Sequence, residues 1–169
     1  GLYSVASKQG WSPRRQNVSI GTTIAGASVD LVPGRIQTGY QNYHSLFVSK
    51  RDTWTQTNVA LHISTVRESG RTNEIRALKI WRKLRGLDIP SLHLELFVIQ
   101  ALAGRSKDAL AANVLFVLSA MGSSFVSTRI VDPGNSGNVI SDDLSAAAKT
   151  AIAAAAANSA GQTLWSDII

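Results

Sequence analysis

The chain changes its sequence grammar between residues 66 and 72, and that change constrains the fold more than any other feature. Before it, short runs of β-branched residues are broken by Gly and Pro, the signature of strands and turns. After it come longer segments with helical spacing of apolar residues and clear start and stop signals. The order predicts an α+β protein, with a strand-rich part over residues 1–66 and a helical part over 67–169. At 169 residues the chain fits one domain, or one domain plus a piece of another.

In the first part, residues 15–24 and 27–32 read as two strands, with a turn or bulge within Gly21–Gly26 and Pro33-Gly34 ending the second. Tyr43–Ser49 and Thr53–Thr57 predict a hairpin around Lys50-Arg51-Asp52. In the second part, Thr72 and Asn73 are placed to cap a helix running to Leu84, with Gly86 as its stop. Pro90-Ser91 opens another helix, SLHLELFVIQALA, and a third covers about 107–121. VDPGNSGN (131–138) is a turn-rich loop, and Asp142 precedes a final Ala-rich helix as its cap. The Ala run at 153–157 needs no explanation beyond high helix propensity and close packing.

Apolar residues make up 44% of the chain and charged residues 17%, enough apolar material for a core and too little charge for a disordered tail. With no cysteine, disulfides, thiolate zinc sites and cysteine nucleophiles are excluded. That fits a reducing compartment, and we expect a cytoplasmic protein. No signal-length apolar run opens the chain. The uncharged stretch Ala109–Thr128 ends in small polar residues, which predicts a buried helix followed by a loop rather than a membrane span. Net charge is +6 and uneven: residues 1–85 hold 13 Lys/Arg against 4 Asp/Glu, residues 86–169 hold 4 against 7. A basic half points to a polyanionic partner, a nucleotide or a nucleic acid, although a soluble surface accounts for the same numbers.

Three residues stand out chemically. Asp30 lies inside the apolar run Val29-Asp30-Leu31-Val32, where a buried carboxylate needs a metal ion, an arginine or a hydrogen-bond network. Lys79 sits in EIRALKIWRKLRG. At about 100° per residue, Ala77, Leu78, Ile80, Trp81 and Leu84 form an apolar arc and Arg76, Lys79, Arg82 and Lys83 the opposite one. That basic arc is either a solvated face or a face that meets phosphates. Ser91, at the start of the next helix, is either a plain first-turn residue or a donor to an anion beside free backbone N–H groups. The link from Lys79 to Ser91 is short enough to aim both at one phosphate. No G-x-G-x-x-G, no P-loop and no nucleophile elbow is present. His44, His62 and His93 lack metal-cluster spacing and read as surface or satisfied core residues.

Several segments match one pattern in one order. SVDLVPG (28–34) resembles the strand carrying the third metal-binding carboxylate in nucleotidyltransferases of the oligoadenylate synthetase and cGAS-like superfamily, which includes the bacterial cyclic-oligonucleotide synthases of anti-phage systems (CD-NTases). DTWTQTNVALH (52–62) resembles their strand before the helical domain, and NEIRALKIWRKLR (73–85) the helix with a Lys-x-Trp pattern. SLHLELFV (91–98) resembles the next helix. VDPGNSGNVISDDLS (131–145) resembles the Asp-Pro loop and Asn-Val segment before the last helix.

The resemblance covers about residues 25–169 and implies a fold and roles. Residues 1–66 would be the later strands of a nucleotidyltransferase palm sheet. Residues 67–169 would be the helical substrate-binding domain typical of poly(A) polymerase and oligoadenylate synthetases. Asp30 would be the third acidic ligand of a Mg²⁺ pair, and Lys79 and Ser91 would contact the triphosphate of a nucleoside triphosphate. Where relatives often carry a base-stacking aromatic after that Ser, this chain has Leu92. The family's Gly-Ser element and Asp-x-Asp pair are absent ahead of Asp30. One Asp does not hold two Mg²⁺ ions about 4 Å apart. The resemblance therefore implies the C-terminal part of a longer nucleotidyltransferase, inactive by itself, that makes cyclic or short oligonucleotides with its N-terminal remainder as partner. The reading outside that class is a non-catalytic module that binds nucleotides or nucleic acid.

Overall fold

The computed structural model describes residues 1–169, which divide into two compact units, Gly1–Ala60 and Leu61–Ile169. Strands dominate the first and helices the second, an α+β chain.

The first unit begins with a short helix, α1 (Leu2–Lys8), absent from the sequence expectations. Strands β1 (Arg14–Arg15), β2 (Ile20–Ile24) and β3 (Ala27–Leu31) form an antiparallel sheet in that order. The single strand expected over 15–24 is interrupted, because the Gln16 N–H turns back to the Ser19 carbonyl at 2.9 Å. The turn between β2 and β3 is Ala25-Gly26 alone. Both residues have positive φ, 49° and 80°, as a two-residue hairpin turn matched to strand twist requires. Gly21 is therefore a strand residue rather than part of the turn.

The register of β2 on β3 corrects the reading of Asp30. Ile20 pairs with Leu31 and Thr22 with Val29, while Gly21 pairs with Asp30 and Thr23 with Ser28. Directly paired residues share a face, so the ladder separates an apolar face from a polar one. Asp30 lies on the polar face and is exposed; no burial penalty calls for a metal or an arginine. A second antiparallel sheet runs β4 (Gly34–Ile36), β5 (His44–Val48), β6 (Thr53–Thr57). Its β5–β6 hairpin turns through residues 49–52, with Asp52 at φ 49°, around the residues the sequence indicated.

Helix α2 (Val59–Ser69) follows at once, where the resemblance placed DTWTQTNVALH (52–62) in a strand. The β-branched Val59, Ile63, Thr65 and Val66 disguised it, since such residues favour strands locally. Packing of Val66 against the helical core overrides that preference. The unit boundary thus falls at 60/61, whereas the sequence reading placed a domain boundary at 66/67.

The helices of the second unit are α3 (Thr72–Leu84), α4 (Ser91–Ala101), α5 (Leu110–Ser124) and α6 (Ala146–Ala160). Between α5 and α6 lies a hairpin of β7 (Val131–Asp132) and β8 (Asn135–Val139), followed by a 3-10 turn at Ile140–Asp143. The cap of α6 is Ser145, whose Oγ accepts the Ala148 N–H at 3.2 Å; Asp142 lies in the preceding turn. Helix α3 ends in a Schellman motif. Gly86, at φ 63°, donates to the Lys83 carbonyl and Leu87 to that of Arg82.

The core of this unit gathers Leu78 and Trp81 of α3, Leu94, Phe97 and Val98 of α4, Val114, Val117, Leu118 and Met121 of α5, and Ile152 and Ala156 of α6. On α3 the buried stripe is Ile75, Leu78 and Trp81; Ile80 and Leu84, expected on the apolar face, are exposed. Buried Trp81 keeps its indole N–H satisfied by donating to Ser159 Oγ of α6 at 3.0 Å. Helices α5 and α6 approach closely, since a Cβ placed on Gly122 would sit 2.9 Å from that of Ala157. A larger side chain than alanine at 157 would collide with α5 there.

One polar cluster lies within this core. Arg71, 4% exposed, donates from Nη1 to Glu74 Oε1 at 3.1 Å and to the Ser106 carbonyl at 3.0 Å. Its Nη2 donates to the carbonyls of Leu102, at 2.9 Å, and Arg105. Asn113 donates to Glu74 Oε1 and to the Ser106 carbonyl. The guanidinium thus ties the C-cap of α4 at Leu102 to the loop carbonyls of Arg105 and Ser106 that follow it. No helix is long and apolar enough to cross a membrane.

Candidate functional site

The second half of α3, the loop after it and the first residue of α4 enclose an open cleft of about 760 Å³. Lys79, Arg82 and Lys83 line one side, spaced so that helical periodicity brings them to one face. Gly86–Pro90 and Ser91 complete the lining. The Schellman stop at Gly86 reverses the chain within a few residues, which is how Lys79 and Ser91 come to face the same space. Pro90, at ψ 136°, stays outside the helix and leaves Ser91 as the first helical residue. Two of the three residues singled out in the sequence are therefore assembled on one cleft.

Two partners of this cleft were not legible in the sequence. The Lys79 ammonium pairs with Glu95, one helical turn beyond Ser91 on α4. Arg82 Nη1 donates to the Ile89 carbonyl and to Ser91 Oγ, the latter at 3.3 Å. Both are contacts between helices, and only the packed structure reveals them. Lys79, Arg82 and Lys83, set against Asp88 in the lining and Glu95 paired with Lys79, leave the cleft a net positive, anion-attracting surface.

Asp30, in the other unit, lies on the polar face of its sheet beside Gly21 and the Gln16 side chain. No group of three His, Asp or Glu side chains suited to a metal ion occurs in the structure. The residues present therefore do not fit a two-Mg²⁺ centre, and Asp30 brings a single carboxylate.

His62 of α2 and Asp132 of β7 form a second polar arrangement. His62 Nε2 lies 2.6 Å from Asp132 Oδ1, which also accepts the Gly134 N–H at 2.7 Å; Asp132 Oδ2 accepts from Asn138 at 3.2 Å. His93 departs from the expectation of a satisfied core histidine. It is 0% exposed, stacks on Phe125 at 4.9 Å, and neither ring nitrogen has a hydrogen-bond partner. Burial, reinforced by the Lys149 charge, lowers its pKa from 6.5 to about 4.

No protein-family model and no curated protein matches the sequence. Solved structures do. CdnC of E. coli MS115-1 with ATP superimposes with a TM-score of 0.62 at 18% identity, covering 88% of this chain and 57% of that one. CdnC in complex with HORMA-deltaN gives 0.60 at 17% identity, covering 95% of this chain and 62% of that one. The fold is therefore CD-NTase-like, in line with the resemblance carried by the sequence segments. The chain spans about 60% of the length of the CdnC chains it matches.

Proposed function

We propose that this chain is part of a nucleotidyltransferase that builds cyclic or short oligonucleotides from nucleoside triphosphates, of the kind used in anti-phage signalling. In this reading residues 1–66 are the late strands of the palm and 67–169 the substrate-binding helical domain. The observation that carries it is the convergence of Lys79, Arg82, Lys83 and Ser91 on one cleft. A CdnC structure with ATP supports it through the shared fold.

The triphosphate would lie in the cleft. Lys79 supplies a point charge, Ser91 a hydroxyl donor, and the first N–H groups of α4 are free of helical partners and favour an anion. Asp30 would contribute one anionic ligand to Mg²⁺, with the remaining ligands supplied from outside these residues. The chain alone is then catalytically silent and works in the cytoplasm with the rest of its nucleotidyltransferase.

The test has two arms. Labelled nucleoside triphosphates with Mg²⁺ should give no oligonucleotide product on the isolated chain, and turnover would refute the incomplete-centre reading. In titration with a non-hydrolysable ATP analogue, Lys79→Ala should weaken binding by more than Lys83→Ala does. Equal small effects would leave the basic face merely solvated.

A second reading, a non-catalytic nucleotide- or nucleic-acid-binding module, is favoured by one observation: the cationic cleft is assembled while no group of three His, Asp or Glu side chains suited to a metal ion is present. Binding of an RNA oligomer that weakens steeply with salt, without preference for triphosphates, would select it.

A further inference from the structure

We propose that Arg82 is a positioning residue of the cleft: it holds the Ser91 hydroxyl as an outward hydrogen-bond donor toward a phosphoryl oxygen entering the cleft. This deepens the triphosphate reading and rests on it. A guanidinium carries five donors and no acceptor, so where Arg82 meets Ser91 the serine oxygen must accept. A serine hydroxyl has one proton, and Ser91 makes no other side-chain hydrogen bond within the protein. The proton is left for a group entering the cleft. Lys79 and Lys83 are likewise donors only. A phosphoryl oxygen reaching Ser91 therefore meets the hydroxyl proton and the two ammonium groups as donors.

Arg82 is itself well placed to impose this. The same Nη1 donates to the carbonyl of Ile89, a residue 2% exposed, so the guanidinium is fixed to a buried point of the loop that delivers Ser91. Lysine at this position keeps the charge but brings one compact ammonium, which does not reproduce the planar fork.

The experiment is titration of the 169-residue chain with inorganic tripolyphosphate, in a double-mutant cycle of Arg82→Lys and Ser91→Ala, with thermal melts on every variant. If Arg82 acts through Ser91, Arg82→Lys weakens binding about fivefold in the native background and less than about twofold once Ser91 is Ala. Ser91→Thr, which keeps a hydroxyl, retains most of the affinity. Two results overturn the assignment: Arg82→Lys binding like the native chain, or the same loss in both Ser91 backgrounds. Should Arg82→Lys fail to fold, Ser91→Ala against Ser91→Thr decides it, equal affinities counting against the hydroxyl. A native chain with no affinity for tripolyphosphate refutes the triphosphate reading itself, and this assignment with it. Binding intact with an additive cycle refutes only the role of Arg82.

Discussion

Lys79 and Glu95 neutralise each other across the α3–α4 contact, with the lysine about one-third exposed and the carboxylate half as much. The cation that the sequence marks as the phosphate contact is therefore not a free charge. A phosphate approaching Lys79 also meets the field of Glu95. Removing that carboxylate while keeping its shape should raise affinity for triphosphate. We expect Glu95→Gln to bind a non-hydrolysable ATP analogue about three- to tenfold more tightly at low salt, with the gain shrinking at high salt. Isothermal titration at two ionic strengths checks this, and a loss of affinity would mean that Glu95 chiefly aims Lys79.

Arg71 and Glu74 predict a large stability effect. Arg71→Met leaves Glu74, 2% exposed, without its cation and the Leu102, Arg105 and Ser106 carbonyls without their guanidinium donor. Breaking a buried pair in this way is worth about 3–5 kcal/mol. Urea unfolding should show it as a lower midpoint, with Arg71→Lys failing to restore the native value because one ammonium does not satisfy four acceptors. Adding Glu74→Leu to Arg71→Met should recover part of the loss.

His93 makes stability depend on acid. Its folded pKa, about 4, lies below the ordinary 6.5, because burial and then Lys149 disfavour the charged ring. The neutral form is the one the fold accepts. The full stability is therefore present above pH 6.5 and falls as pH drops toward 4. At about 1.4 kcal/mol per pH unit over that window, the loss is on the order of 3 kcal/mol. His93→Phe should flatten the melting temperature between pH 7 and 4, and an unchanged slope would assign the acid sensitivity elsewhere.

Gly122 sits where α5 meets α6. A methyl there would lie 2.9 Å from the Ala157 Cβ and 3.1 Å from its Cα. Gly122→Val should destabilise by about 1–3 kcal/mol, since the neighbour is backbone and Cβ rather than a flexible tip. Ala157→Gly should relieve part of this in the double variant, measured by chemical denaturation.

How much was readable depends on whether the cause was local. Gly86, Ala25-Gly26 and the hairpin at 49–52 are set by backbone conformation over a few residues, and their positions were visible or nearly so. Helix α2 was hidden because its β-branched residues follow local preference, while the packing of its partly buried Val66 comes from segments far along the chain. Lys79 and Ser91 were found because one helix face and one helix start carry their own signals. Glu95 and the Arg82 bond to Ser91 were not, since both arise from one helix lying against another. The exposure of Asp30 was not legible for a related reason. A carboxylate among apolar neighbours is buried only if it shares their face, and pairing with Gly21 puts it on the other one.

The Asp132 carboxylate spends both of its oxygens inside the protein, on His62, Gly134 and Asn138. At 5% exposure and with three internal partners, it offers little to a substrate or an ion. The Asp-Pro loop, among the strongest threads of resemblance to the nucleotidyltransferases, is on this evidence a rivet between helix and hairpin. Its likeness therefore reports shared architecture, and chemistry must be sought where side chains still have bonding capacity to offer.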